Sequence, residues 1–336
     1  SFAGGHVRKR ARAAARAWAL ARRLGDDLAL GLAVAALLEI DPTTRADERL
    51  AVARAALARA GDRGGLQDLL STRGMRLAFI GRWPEAEAML AEAHALASDL
   101  GDRAGAASVR VDLAIAPLLR GDVATARAHL DAAEAVWRLL GDRTRSAPME
   151  AWFALAAAPR EVAEARVAAF EDLARQLDTG HAMARFLRCA LLARYGTPAE
   201  VVAAADAALA ACGAPHVVIP MAAALYALRA QAWTRLEALD EAARDVGALA
   251  RAARDLGAPR FVARAVLAAA ELAAGRGDEA TARRLGALAW GHPALEAEAW
   301  EAARALLGMP SEARPESVAP RSADDVLLAD VLACCG

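Results

Sequence analysis

The side chains able to do chemistry are few and scattered. Histidine stands at His6, His94, His129, His181, His216 and His292. No two of these are four apart with a glutamate between, the spacing by which one helix face holds zinc beside a general base. Lys9 is the only lysine, set in Gly5-His6-Val7-Arg8-Lys9-Arg10. That segment is not the glycine-rich loop ending in Gly-Lys-Ser/Thr that cradles phosphates, and a lysine in a basic arm does not suit kinase or Schiff-base work. No serine is flanked by glycines at i−2 and i+2, so a hydrolase nucleophile elbow is missing. The cysteines Cys189, Cys212, Cys334 and Cys335 show neither metal-ligand spacing nor a disulfide framework. The vicinal Cys334-Cys335 pair is the nearest approach to a soft-metal or redox site, and no further ligand lies near it in sequence. His94 and His129 read as partly exposed structural positions. The expectation is a chain without catalytic residues, metal or cofactor.

Charge is uneven. The net charge is −1, yet residues 1–24 carry seven basic side chains and no acid. Arg8, Arg12 and Arg16 share one helical stripe. Such a stripe can track phosphates in nucleic acid or lie on an anionic membrane. With aromatics sparse there and no base-reading motif, we read it as the solvated face of an incomplete first helix, docking on an upstream domain. No direct nucleic-acid or membrane partner is expected. Free cysteines suit a reducing compartment. The longer apolar stretches, such as 201–211, fall short of the roughly 20 residues a membrane span needs, and no secretory signal stands at the start. A cytoplasmic location follows as an expectation. The chain opens at Ser1 without methionine, as an excised or processed piece would.

Whatever these residues do, their elements are set by a repeat. Leu-Gly-Asp stands at Leu24-Gly25-Asp26, Leu100-Gly101-Asp102 and Leu140-Gly141-Asp142, with looser copies at Ala60-Gly61-Asp62 and Leu256-Gly257-Ala258. Gly61, Gly101 and Gly141 are 40 residues apart. Periods of this size mark stacked helical hairpins. Alanine supplies most of the 57% hydrophobic content, only 4% is aromatic, and no run alternates as a strand would, so the chain reads as all-α. Between glycine markers lie two amphipathic segments. The clearest pair spans about 66–80 and 85–99 around Gly81-Arg82-Trp83-Pro84. The next spans about 104–120 and 124–140 around Gly121-Asp122, with Asp122 placed to cap the second helix. Pro117 should bend the first. Later pairs divide at Ala158-Pro159, Gly196-Thr197-Pro198, Leu239-Asp240 and Gly275-Arg276-Gly277-Asp278. The organisation expected is a basic helix over 1–24 that is the second half of a truncated repeat, a solenoid over 25–308 ending in a single helix, a linker over 309–322 and a short helix over 323–336. In a solenoid, each unit packs only on its neighbours.

These residues resemble the tetratricopeptide repeat. The matching positions are Gly74, Gly81, Glu85-Ala86 and Ala93 in the clearest unit, and Ala114, Gly121, Ala126 and Ala133 in the next. Ala230, Glu241-Ala242 and Leu249 match in the sixth, and Ala270, Gly277 and Ala282 in the seventh. The likeness is strong over 64–142 and weak over 143–212. It implies a right-handed α-solenoid of about seven helix pairs with partial flanking helices. The longer period, Leu-Gly-Asp-Arg at the junctions and the closing Leu288-Ala289-Trp290-Gly291-His292-Pro293-Ala294 are similar to the C-terminal sensor regions of bacterial STAND-type signal-transduction ATPases and large transcriptional regulators. Similar arrays follow kinase and nucleotide cyclase domains.

In such a stack the first helix of each pair faces the concave groove. Position in the repeat then selects Asp68, Ser71, Thr72, Met75 and Phe79, next Asp112, Ile115 and Leu119, then Trp152, and later Gln231, Thr234, Arg264 and Glu271 as groove residues. The remaining tryptophans (Trp83, Trp137, Trp233, Trp290 and Trp300) read as core. This mixed lining suits a peptide or protein segment, or a small effector. Three functions are expected in order: a non-catalytic sensor or interaction domain that biases an upstream ATPase, kinase or DNA-binding domain; a free-standing adaptor; and an enzyme on a helical-repeat scaffold. Oligomeric state is not legible.

Overall fold

The computed structural model describes residues 2–40, 46–142, 144–178, 180–212, 219–309 and 324–335. All regular structure among them is helical, and consecutive helices pack side by side as antiparallel hairpins, an all-α solenoid. The chain opens with α1 (Phe2–Leu24), α2 (Asp27–Ile40) and α3 (Ala46–Ala60). Two regular pairs follow: α4 (Arg63–Ile80) with α5 (Trp83–Asp99), then the split first helix α6 (Arg103–Leu113) and α7 (Ile115–Arg120) with α8 (Val123–Leu139). Next come α9 (Ala147–Ala157) with α10 (Arg160–Gln176), and α11 (His181–Tyr195) with α12 (Pro198–Cys212). The last pairs are α13 (Ile219–Arg235) with α14 (Leu239–Leu256), and α15 (Pro259–Gly275) with α16 (Glu279–Trp290). Two single helices, α17 (Ala297–Leu307) and α18 (Asp324–Cys335), finish the chain.

The recurring Gly-Asp pair has a double job. Each glycine leaves the preceding helix in the left-handed region, at φ +69° for both Gly61 and Gly101. A side chain is strained there, so glycine ends the helix cheaply. The aspartate then caps the next helix. Asp62 accepts from the Gly65 N–H at 2.9 Å, Asp102 from Gly105 at 2.9 Å, Asp122 from Thr125 at 3.0 Å and Asp278 from Thr281 at 3.0 Å. Stop and start signals two residues wide thus turn the chain back at a fixed interval. Small residues set the spacing between paired helices. A Cβ on Gly74 would stand 2.6 Å from Leu90 Cγ, and Ala86 and Ala93 are fully buried on the partner helix.

Three boundaries differ from the sequence reading. The helix expected over 104–120 is split at Ala114, three residues before Pro117. Proline has no N–H for the Leu113 carbonyl and crowds it, so the expected bend becomes a break. The sixth pair turns at 236–238 rather than at Leu239-Asp240, which already belong to α14. Glu237 adopts φ +59° there, doing without the usual glycine. The second helix of the clearest pair begins at Trp83, because Pro84 suits the first turn. Of the basic stripe, Arg12 and Arg16 are exposed, while the Arg8 side chain lies outside what is described. The expected linker falls, from residue 310 on, outside the described residues.

The two ends of the stack are unlike. At the start, Leu20 and Leu24 on α1 and Leu28 and Leu32 on α2 are all exposed. At the finish, α18 folds back on α14 and α15 and buries Leu327, Leu328 and Val331. His292 helps seat it: its Nδ1 accepts from the Ala294 N–H at 3.2 Å and its Nε2 lies 3.3 Å from Asp324.

The expectation that units touch only their neighbours fails at one seam. Arg260, at the start of α15, donates from Nη1 to the carbonyl of Phe79, at 2.8 Å and 181 residues away. A Cβ on Gly81 would stand 2.8 Å from Arg260 Cβ, and one on Gly121 would stand 2.9 Å from Ala297 Cβ. The turns inside the early pairs therefore rest on α15 and α17. Rotation from hairpin to hairpin bends a stack of this kind, and here early and late units meet. What would be an open groove becomes a partly closed cavity.

Candidate functional site

The cavity has a volume of about 480 Å³ and is walled by α7, α9, α11, α13, α15 and α17. The first helices of the pairs thus supply the wall, with the closing helix added. Leu119, Trp152 and Arg264, three of the sequence-selected residues, line it. Trp152 stacks on Phe79 with ring centroids 5.3 Å apart and planes 7° from parallel, so Phe79 sits directly behind the lining. That stack joins α9 to α4, whose last turn also takes the Arg260 bond. Phe186 and Phe261 add aromatic surface.

The polar part of the wall is compact. Glu296 immediately precedes α17 and is 4% exposed. One of its oxygens accepts from Arg260 Nε, and the other from Arg264 Nε at 2.8 Å and from Arg264 Nη2. Arg260 and Arg264, one turn apart on α15, therefore share a single carboxylate. Burial, and then the neighbouring Arg264 charge, push the Arg260 guanidinium down to about 9. Arg260 also lies 5.0 Å over the Phe261 ring, where the π-face offers a second, weaker stabilisation. Two further acids, Glu298 and Glu301, line the same wall. Glu298 is 3.9 Å from Arg264 and its side chain is 77% exposed, while Glu301 is held by Arg304 at 2.9 Å. Arg194, at the end of α11, is exposed, faces the same cavity and donates to the Leu155 carbonyl. The wall thus combines aromatic faces with three arginines and three glutamates.

The other sequence-selected residues lie elsewhere along the inner layer. Ser71 Oγ donates to Asp112 Oδ2 at 3.0 Å, tying the first helix of one unit to that of the next. Burial pushes the Asp112 carboxyl up to about 7, and the Ser71 bond only partly opposes it. Gln231 Nε2 makes the equivalent bond to Glu271 Oε1 at 3.1 Å. Glu271 is also raised, first by burial, and its other oxygen is buried without a hydrogen bond. Asp68 is exposed; it is raised by partial burial first and then by Asp102 and Asp62. Thr72 is part-exposed, Met75 packs on the main core, Ile115 is fully inside it, and Thr234 Oγ1 bonds back to the Ala230 carbonyl at 3.0 Å. The residues selected by repeat position lie on the first helices of the pairs, and three of them line the cavity. Arg260, Glu296, Phe186, Phe261 and Arg194 were missed. The available signal was Arg260 and Arg264 one turn apart on a helix whose only other charged residue is Glu271.

The tryptophans divide similarly. Trp83 is buried with its Nε1–H on the Ala78 carbonyl at 3.1 Å. Trp137 and Trp300 are buried too, and Trp300 stacks on Trp290 at 6.0 Å. Trp152 is the one of the six that lines the cavity. Among the described residues, no group of three or more His, Cys, Asp or Glu side chains could hold a metal. No described helix is long and apolar enough to cross a membrane. Comparison of the chain with protein-family models and with curated proteins finds no match.

Proposed function

We propose that this chain is a non-catalytic binding module whose ligand enters the cavity walled by Leu119, Trp152, Phe186, Phe261 and the Arg260–Glu296–Arg264 cluster. The observation that carries the reading is the cavity itself, lined by helices from units far apart in sequence. A volume of about 480 Å³ falls within the range of small-molecule sites, mostly apolar with a few placed polar groups. That favours a small effector, or the end of a peptide, over a long segment lying in an open groove. The resemblance to tetratricopeptide sensor arrays extends the proposal. A ligand touching both α9 and α15 would favour the closed coil, and a domain attached to the chain would read that bias. Such a ligand shifts the equilibrium only by its differential affinity for the two forms.

The test is a titration with N-phenyl-1-naphthylamine, a neutral fluorescent aromatic probe. Saturable binding to the full chain is expected, weakened at least tenfold in W152A. Equal affinity in W152A and the parent would reject the cavity as the site.

A further inference from the structure

We propose that α14 and α15 form a docking groove for an acidic, leucine-bearing helix of a partner protein, and that α18 is the internal occupant such a helix displaces. The sequence of α14 marks the groove. The second helices α5, α8, α10 and α16 each bury a single stripe, such as Ala126, Leu130, Ala133 and Trp137 on α8. On α14 the matching stripe is Ala242, Leu249, Ala253 and Leu256, and a second lies beside it: Ala243 and Ala250, with Gly247 between them under the Arg251 guanidinium. An apolar stripe is buried only where another element covers it. Like the other second helices, α14 packs against first helices, and in addition it packs on α18. The neighbouring α15 is buried at Val262, at Ala263 and at every position from Ala265 to Ala270. None of these groove residues lines the cavity.

The chemistry of the ligand is read from α18. It buries Leu327, Leu328 and Val331, with Leu332, Cys334 and Cys335 partly buried on the same core. Its charged residues are all acids: Asp324, Asp325 and Asp330. Arg284 of α16 donates to Asp330 Oδ2 at 2.6 Å, and His292 Nε2 lies 3.3 Å from Asp324. Arg276 donates to the Cys334 carbonyl at 2.6 Å, at the negative end of the helix. Asp278, the acid on this rim, is engaged in capping α16 through the Thr281 N–H. The docking is out of chain order, since α18 reaches back past α17 to α14 and α15. It is also one-sided: Asp325, Val326, Ala329 and Ala333 are exposed. A helix of 12 residues is marginal by itself in water, so the groove holds α18 in shape. An occupant held on one face yields to a competing helix that presents the same leucines and acids.

The test is fluorescence anisotropy with a labelled peptide of residues 323–333, which carries the leucines, the valine and the acids of α18. In the full chain, L328D/V331D puts two charges on the buried face and expels the internal helix. That variant should bind the peptide saturably and at least tenfold more tightly than the parent, whose groove is filled. Adding A250E to it should lower the affinity at least tenfold. Adding R284E, at an exposed position, should weaken binding about threefold, as a surface ion pair allows, and a peptide with Asp330→Arg should recover that loss. Circular dichroism and urea melts check that L328D/V331D keeps a cooperative fold. If it unfolds, α18 is an integral part of the stack and the proposal falls. Equal binding by the parent and the released variant, binding by neither, or binding indifferent to both A250E and R284E overturns it as well. A parental dimer that L328D/V331D abolishes, seen by sedimentation, would give the groove to the α18 of a second copy and end the partner reading.

Discussion

In the early inner helices, Asp112 is partly buried and accepts from the Ser71 hydroxyl, and burial pushes its carboxyl up to about 7. In the late part of the same layer, Glu296 is buried too but sits between two guanidiniums. The two acids occupy the inner side of one coil, and their surroundings give them opposite characters. Asp112 can relieve its burial by taking up a proton. Glu296 is charge-paired between Arg260 and Arg264. The seam explains the contrast. Where the coil closes on itself, side chains from units far apart in sequence are forced together, and charges that no repeat pattern would pair become neighbours. Within the regular units the first helices are joined by short polar rungs, Ser71 to Asp112 and Gln231 to Glu271.

The comparison can be broken hardest at Glu296. E296A leaves two buried guanidiniums facing each other, and removal of one partner from a buried ion pair costs about 3–5 kcal/mol. Urea unfolding of E296A should show a loss of that size; a loss below about 1 kcal/mol would mean that the cluster is not the electrostatic centre described. The early region is tested through pH. The Asp112 carboxyl has an ordinary value near 3.8 when unfolded and one near 7 when folded. Between these values the folded state holds the proton more tightly, so this residue's contribution to stability falls as pH rises from about 4 to about 7 and is flat above. D112N should match the parent below pH 4, exceed it in stability above pH 7, and lack that part of the slope in its urea midpoints. E271Q in that background should flatten the profile further, since Glu271 is raised for the same reason. A parental profile that rises with pH over this window would reverse the assignment. The smallest effect is expected for S71A, which removes one hydrogen bond at a cost of about 0.5–1.5 kcal/mol. It should also move the Asp112 slope to higher pH, because the Ser71 bond favours the charged form. An unchanged slope would mean that the bond does not act on the carboxylate.

Much of the architecture was written locally. Gly61-Asp62, Gly101-Asp102 and Gly121-Asp122 each combine a helix stop with a helix start, and those signals operate within a few residues of themselves. Gly74, Ala86 and Ala93 set the approach of paired helices, again between neighbours. Pro117 announced a distortion, and the helix breaks three residues before it. The hairpins, their order and the identity of the inner helices could therefore be read from the chain. The turn at 236–238 was misplaced because Glu237 takes a backbone conformation that its residue type does not advertise.

The cavity could not be read in this way. Its closure depends on the rotation between successive hairpins, summed over units until Arg260 reaches the Phe79 carbonyl 181 residues away. Each rotation comes from packing at one helix–helix interface, and a small change in any of them is multiplied along the stack. Sequence alone determined that this protein is a stack of helical hairpins with a mixed inner face. Only the tertiary structure decided that Arg260, Arg264 and Glu296 would meet opposite Trp152 and Phe186, because the curvature that brings them together is a property of the whole coil and of no single repeat.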